Sequence, residues 1–294
     1  MNLSSVDAKA LIDVNRLFGA NSIRELAVGE ISPALSSIKS KYLGSIDGRE
    51  APSFRDMFNW AQCVLAKSYQ TEYYYKSVLL QKLVTGIHSP RSTAVFSEFK
   101  VGKCRADLVL VNDVATVYEV KTGLDDLKKA SRQVSEYFKC FSRVIFVIDP
   151  VHFKKAAEIL PDSVGIACIT QRKQLRILRQ CGVENAHLSS EEMFLALRRD
   201  EYEKVVRSNF PEVDLKSYKS VLACIGSMQP KRMQLEFNRI LRKRGLSSSR
   251  LHDISKLPPS LLPAAYLYKM SSKEWNGLIQ VLDMRVKDAL EKSL

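Results

Sequence analysis

Two acids and a lysine in the middle of the chain have the types and spacing for phosphodiester chemistry. Glu119 and Lys121 flank Val120 in a run of β-branched and aromatic residues. On a strand, alternate side chains project from the same face, so the acid and the ammonium share one side. Asp107 sits in the preceding run, Arg105-Ala106-Asp107-Leu108-Val109-Leu110-Val111. A short connection around Asn112-Asp113 predicts an antiparallel hairpin that sets Asp107 opposite residues 118–120. Two carboxylates then meet, with an ammonium a little further along the strand. Mg²⁺ takes one or two carboxylates and keeps waters and substrate phosphate as its other ligands. Asp107 and Glu119 are the candidate metal ligands, with the Val120 carbonyl as a further oxygen. Such an ion would acidify a bound water and neutralise charge on the phosphate. Lys121 would orient the attacking water or stabilise the oxyanions of the pentavalent phosphorus.

Acid-x-Lys spacing alone says little, because Glu98-Phe99-Lys100, Asp126-Leu127-Lys128 and Asp214-Leu215-Lys216 repeat it. Context separates Glu119-x-Lys121 from these. It lies in an otherwise apolar strand, where unpaired charge is costly, and the neighbouring strand carries an acid at the facing position. The plainer alternative is a surface strand whose Asp107 and Lys121 form a cross-strand ion pair. In the following helix Gln133 and Tyr137 are four residues apart and share a face. They could bind a phosphate-bound water or the scissile group, or simply decorate an amphipathic helix. Glu72, on an earlier helix, is a candidate third carboxylate or one half of a Glu72–Lys76 helical pair, and Glu98 competes with it.

The elements that must position these groups fall into three zones: a helical N-terminal region over 1–66, a core over 67–184 and a helical, basic C-terminal region over 185–294. The first carries the stripe Leu11, Val14, Leu17, Phe18, with breaks at Ser32-Pro33 and Gly44–Pro52. The core opens with a helix that Gly86 ends. Strands are expected at Val95–Val101, Arg105–Val111 and Thr116–Thr122. A helix over Asp125–Phe141, a strand within Arg143–Asp149, a helix over His152–Leu160 and a strand over Val164–Thr170 follow. Gln174–Arg179 is a strand or a helix start. Helices are expected over Ser190–Val206, Ser217–Ile225, Pro230–Arg244 and Ser272–Leu290. Runs such as Val144-Ile145-Phe146-Val147-Ile148 need cover on both faces, so the class is α/β, a mixed sheet flanked by helices.

The order of these motifs resembles the PD-(D/E)XK nuclease superfamily. The acidic helix residue in Thr71-Glu72-Tyr73-Tyr74-Tyr75, Ala106-Asp107-Leu108-Val109-Leu110, Tyr118-Glu119-Val120-Lys121-Thr122 and Gln133-x-x-x-Tyr137 is similar to a bacterial and phage family within it. The resemblance spans about residues 70–180. It implies a restriction-endonuclease-like fold and a nuclease that cleaves DNA with Mg²⁺ or Mn²⁺. It assigns Asp107 and Glu119 to the metal, Lys121 to catalysis, and Gln133, Tyr137 and Glu72 to supporting positions. Ala106 stands where the superfamily's motif has proline, which weakens the motif's recognisability more than its chemistry. The family's distribution implies a role in conflict between phages and bacteria. The competing class is a catalytically silent adaptor of the same fold that binds nucleic acid or protein.

The formal charge of +13 on 294 residues favours a polyanionic partner. Its densest patch is Lys231, Arg232, Arg239, Arg242, Lys243, Arg244 and Arg250, against the single acid Glu236. A basic helix there would track phosphate backbone, with Met233, Leu235, Phe237, Ile240 and Leu241 on its apolar side. DNA is the expected partner, and a protein partner or a homo-oligomer is compatible with the sequence. No run approaches the ~20 apolar residues of a membrane span, and the N-terminus lacks the pattern of a secretory signal. The six cysteines are scattered, without Cys-x-x-Cys spacing, which fits a reducing cytoplasm.

Overall fold

The β-branched and aromatic runs between residues 94 and 179 pair, in chain order, as one six-stranded sheet. The strands are β1 (Ala94–Val101), β2 (Cys104–Val111), β3 (Ala115–Lys121), β4 (Arg143–Ile148), β5 (Gly165–Ile169) and β6 (Leu175–Arg179). The computed structural model describes residues 8–42, 52–68, 70–87, 89–245, 254–286 and 288. The chain divides into two compact units. One is Met1–Gly86, Gln171–Lys173 and Ser247–Leu294; the other, which holds the sheet, is Ile87–Thr170 and Gln174–Leu246.

β1, β2 and β3 form an antiparallel meander, β3–β4 and β4–β5 are parallel, and β6 returns antiparallel to β5. Parallel neighbours need crossovers. These carry α6 (Ala130–Tyr137) and α7 (Phe153–Ile159). β4 is buried from Phe146 to Ile148, which is why its sequence is a continuous apolar run rather than an alternating one. Helices therefore flank a mixed sheet, as the sequence pattern required. Gln174–Arg179, open between strand and helix in the sequence, is an edge strand.

The β1–β2 turn is two residues long, closing from Val101 to Cys104. Gly102 takes φ +51°, the positive value that the first position of such a turn demands. A Cβ there would meet the Glu136 carboxylate on α6, so a substitution would displace that side chain as well as strain the positive φ.

α8 (Ser190–Leu195), α9 (Arg199–Asn209), α10 (Tyr218–Ser227) and α11 (Pro230–Arg244) belong to the same unit, and α11 packs on β1 and β2. One helix was expected over Ser190–Val206, but the chain breaks between Leu195 and Arg199. Glu201 accepts the Arg198 N–H at 2.8 Å, a capping arrangement that starts a new helix. Phe99 of β1, Phe141 after α6 and Phe237 of α11 pack ring to ring, at 5.7 Å, 6.3 Å and 5.7 Å between centroids. Glu98 takes φ +51° within β1. Residues three apart on a regular strand face opposite ways, yet Phe96 and Phe99 lie 5.6 Å apart, and the turn at Glu98 accounts for it.

The other unit holds α1 (Ala8–Leu17), α2 (Ala20–Ala27), α3 (Pro33–Tyr42), α4 (Phe54–Ser68) and α5 (Glu72–Leu80), with helices at Leu262–Leu267 and Ser272–Leu282. Thr71 caps α5 by accepting the Tyr74 N–H. α5 runs on as a π-helical turn, Gln81–Ile87, through the Gly86 expected to end it. Phe18 stacks on Tyr73 at 4.6 Å and meets Phe58 at 5.6 Å, so α1, α4 and α5 share one core. The break expected over Gly44–Pro52 lies outside the described residues apart from Pro52. Among the described residues no helix is long and apolar enough to cross a membrane.

Candidate active site

Ala115, Val117, Glu119 and Lys121 alternate onto the face of β3 that α6 covers. Ala115 and Val117 share a core with Ala130, Val134 and Tyr137 of α6. Glu119 continues that stripe and is only 2% exposed. A buried carboxylate must be paired or hydrogen-bonded, and Glu119 has three donors. Lys121 Nζ reaches Oε1 at 2.8 Å, Gln133 Nε2 donates to the same oxygen, and the Tyr137 hydroxyl donates to Oε2 at 2.8 Å. Gln133 and Tyr137 sit one turn apart on α6, which is why both reach one carboxylate.

The Tyr137 oxygen also lies 2.7 Å from the Arg105 carbonyl, so its single proton serves two acceptors. Burial, then the charge and hydrogen bond of Glu119, then the charge of Asp107 raise the phenol well above its ordinary pKa. It is a permanent donor at any working pH. Tyr137→Phe leaves one Glu119 oxygen short of a donor. We expect a loss of about 1–3 kcal/mol of stability in urea unfolding; an unchanged midpoint would show that this hydroxyl does not hold the carboxylate.

Asp107 arrives by a different route. The β2–β3 ladder runs from Val111↔Ala115 to Leu108↔Tyr118 and stops one pair short of Asp107 and Glu119. In place of the next ladder bond, Asp107 Oδ2 accepts the Val120 N–H at 2.7 Å. The Lys121 carbonyl accepts from Asp149 N at 2.8 Å on the β4 side. Successive peptide groups point to opposite sides of a strand, so the Val120 N–H and carbonyl both face β2 and Asp107. Beyond Leu108↔Tyr118 the next residues in line are Asp107 and Glu119, and the bond to the Val120 N–H brings Asp107 to this end of β3. Lys121 makes an ion pair with Glu119 of its own strand.

Glu98 stands opposite Asp107 when the β1–β2 register is continued between Ser97↔Leu108 and Phe99↔Ala106. Carboxylate oxygens of the two lie within 4.8 Å of each other. Glu72 belongs to the other unit, in the first turn of α5, where it pairs with the buried Lys76. The spacing patterns did not single out the turn after β3. Thr122 gives both its N–H and its hydroxyl to Asp125 Oδ2 at 2.7 Å, and His152 Nε2 lies 2.9 Å from the Thr122 carbonyl. The Thr-x-x-Asp spacing was its only sequence signal. This turn holds residues 125–129 out of the helix expected over Asp125–Phe141, which is regular only from Ala130 to Tyr137.

On α11 the apolar side packs as its spacing required, through Met233, Phe237, Ile240 and Leu241. Leu235, grouped with them in the sequence, is 72% exposed instead. Lys231, Arg232, Arg239, Arg242 and Lys243 are exposed, with Arg239 paired to Glu236 and Arg242 to Asp113. Arg244 turns inward. It grips Glu201 of α9 through Nε at 2.7 Å and through a second nitrogen, and its guanidinium lies 5.6 Å from the Phe96 ring centroid. Arg250 lies outside the described residues.

The chain matches the family model described as bacteriophage P4 protein cII over residues 66–254. Among solved structures, a protein of unknown function from Silicibacter pomeroyi aligns at 17% identity. The alignment covers 42% of this chain and 84% of that one, with a TM-score of 0.27. No curated protein matches the sequence. The family match takes in all six strands, the acid–lysine cluster and α8–α11, more than half of the sequence, and the chain therefore belongs to the bacteriophage P4 protein cII family.

Proposed function

We propose that the chain is a metal-dependent nuclease that hydrolyses phosphodiester bonds, in DNA before RNA, with Asp107, Glu119 and Lys121 as its reacting centre. The observation that carries this reading is the interrupted hairpin. β2 gives up its ladder with β3 where Asp107 begins, and an acid takes the backbone N–H beside a second, buried acid. An ordinary sheet would continue the ladder. The donor set fits a hard divalent cation, because two carboxylates and the Val120 carbonyl are all oxygen ligands. Asp107, Glu119 and Val120 would hold Mg²⁺ or Mn²⁺. When bound, the ion would lower the pKa of water and neutralise charge on the phosphate. Gln133 and Tyr137 orient the Glu119 carboxylate. Lys121 offsets the two acids and is the ammonium available to the phosphate oxygens.

The exposed cations of α11 fit a backbone-binding role. If all five contact phosphates, affinity for duplex falls by roughly 500-fold between 50 and 200 mM salt. A flat salt dependence would remove α11 from the interface. The resemblance to PD-(D/E)XK nucleases supports the same reading, and the scattered cysteines fit a cytoplasmic protein. The family's phage name fits a role in conflict between phages and bacteria.

One observation favours a second reading, a silent adaptor of this fold. Both Glu119 oxygens already have donors, and Lys121 is committed to one of them. Incubating the purified chain with linear, circular and single-stranded DNA and with RNA, in Mg²⁺, Mn²⁺ or EDTA, separates the two. The nuclease reading requires fragments that disappear with EDTA. Tight binding that persists in EDTA, with intact substrate under every metal, would leave the adaptor.

A further inference from the structure

The strands β3 and β4 are parallel, so the loops after them lie side by side, at the strand ends where ligands of open parallel sheets commonly bind. Two hydrogen bonds hold these segments together. Asp149 N donates to the Lys121 carbonyl at 2.8 Å, and His152 Nε2 lies 2.9 Å from the Thr122 carbonyl. A Cβ on Gly123 would stand in contact with the Asp149 carboxylate. From this braced pair of loops, large apolar side chains stand in solvent: Leu124 is 79% exposed, Val151 72% and Phe153 39%. Single exposed apolar residues need no explanation, but these three, the last in the first turn of α7, stand on two segments tied to each other.

The rim is basic. Lys128, Lys129, Lys154 and Lys155 are all exposed on the same two segments. Lys128 pairs with Asp126, and Lys155 lies near enough to help hold the Asp126 carboxyl low, behind the backbone and side-chain hydrogen bonds and charge of Lys128. Lys129 and Lys154 have no ion-pair partner among the described residues. Apolar tips ringed by lysine suit a partner that presents apolar faces and negative charge together. A regular duplex hides its base faces and offers phosphates alone. A single strand offers both, and bases stack on exposed aromatic side chains such as Phe153 with little regard to sequence.

We propose that loops 122–125 and 149–155 form a platform for unpaired bases, so that this chain engages single-stranded or frayed nucleic acid at its site in preference to intact duplex. The proposal rests on the nuclease reading, since Leu124 lies three residues beyond Lys121 and the platform would feed that centre. It names the substrate class that reading leaves open.

The test uses the full chain and one fluorescein-labelled oligodeoxynucleotide, as a single strand and as a blunt duplex. Binding is followed by anisotropy in EDTA, and cleavage separately with Mn²⁺. Wild-type protein is expected to bind the single strand more tightly. Leu124→Ser with Phe153→Ser is expected to lower single-strand affinity by about ten-fold or more and to leave duplex affinity, carried by α11, unchanged. The unchanged duplex affinity also reports that the variant is folded. Lys154→Glu with Lys155→Glu is expected to weaken single-strand binding and flatten its salt dependence. An anionic lipid surface is the rival occupant. If vesicles of phosphatidylcholine and phosphatidylserine sediment the wild type but not the apolar variant, while oligonucleotide affinity is the same for both, the platform proposal fails. It fails too if the apolar variant binds the single strand as the wild type does; cleavage that persists in that case leaves the nuclease reading standing. Selective loss of single-strand binding with no cleavage under any metal would uphold the platform and remove the nuclease.

Discussion

Asp107→Asn is expected to lower metal-dependent cleavage by at least about 10²–10³-fold, the usual effect of removing one group that stabilises charge at a reacting centre. The fold should survive, because asparagine keeps an oxygen that can accept the Val120 N–H now held at 2.7 Å. What disappears is the negative charge that a divalent cation requires of its ligands. Lys121→Ala should have a comparable effect on rate, but it also removes a donor from Glu119, which is 2% exposed. A fall in activity there mixes chemistry with stability, so the asparagine variant is the sharper probe. Initial rates with Mg²⁺ and Mn²⁺, alongside urea midpoints, read the two effects apart. Cleavage at the wild-type rate by Asp107→Asn would remove the hairpin acids from the reaction.

Arg244→Ala is expected to cost about 3–5 kcal/mol of stability, the usual price of stranding one member of a buried ion pair. The side chains of Arg244 and Glu201 are only 12% and 10% exposed, and the pair ties α11 to α9. Burial pushes the Glu201 carboxyl up, but the hydrogen bonds of Arg244 and the Arg198 N–H, with the charges of both arginines, outweigh it and leave the group below its ordinary value. A folded-state pKa below the unfolded one means stability that is fully present above the ordinary carboxylate range. That stability is lost as pH falls through the folded-state value. Urea unfolding should therefore show a wide gap between wild type and Arg244→Ala at neutral pH, narrowing below about pH 4. Glu201→Gln with Arg244→Met should recover part of the loss, since replacing both charges leaves none stranded. If Arg244→Ala unfolds like the wild type and instead binds nucleic acid more weakly, Arg244 acts with the other cations of α11.

The hairpin was legible because strand periodicity is local: period two puts Glu119 and Lys121 on one side, and a short turn limits the residues that can face Asp107 to a few. Gln133 and Tyr137 were legible as a pair for the same reason, through helical spacing. The Met233, Phe237, Ile240 and Leu241 stripe was equally plain. Arg242, Lys243 and Arg244, however, read as three equal cations. Folding gives Arg242 an exposed partner in Asp113, but it buries Arg244 against Glu201 of α9, 43 residues away in sequence. Leu235 read as a core residue, and it stands exposed.

The sequence by itself determined the class of fold, the face on which acid and ammonium sit, and the helix that covers them, because each depends on residues a few positions apart. The tertiary structure alone decided that β2 leaves its ladder at Asp107 and that Glu119 is enclosed by three donors. It also decided that Thr122 and Asp125 hold back the start of α6, and that Glu98 turns within β1 to stand by Asp107. Those outcomes turn on competition between side chains and backbone for the same hydrogen bonds, and between neighbours brought together only by folding, which no spacing of residues records.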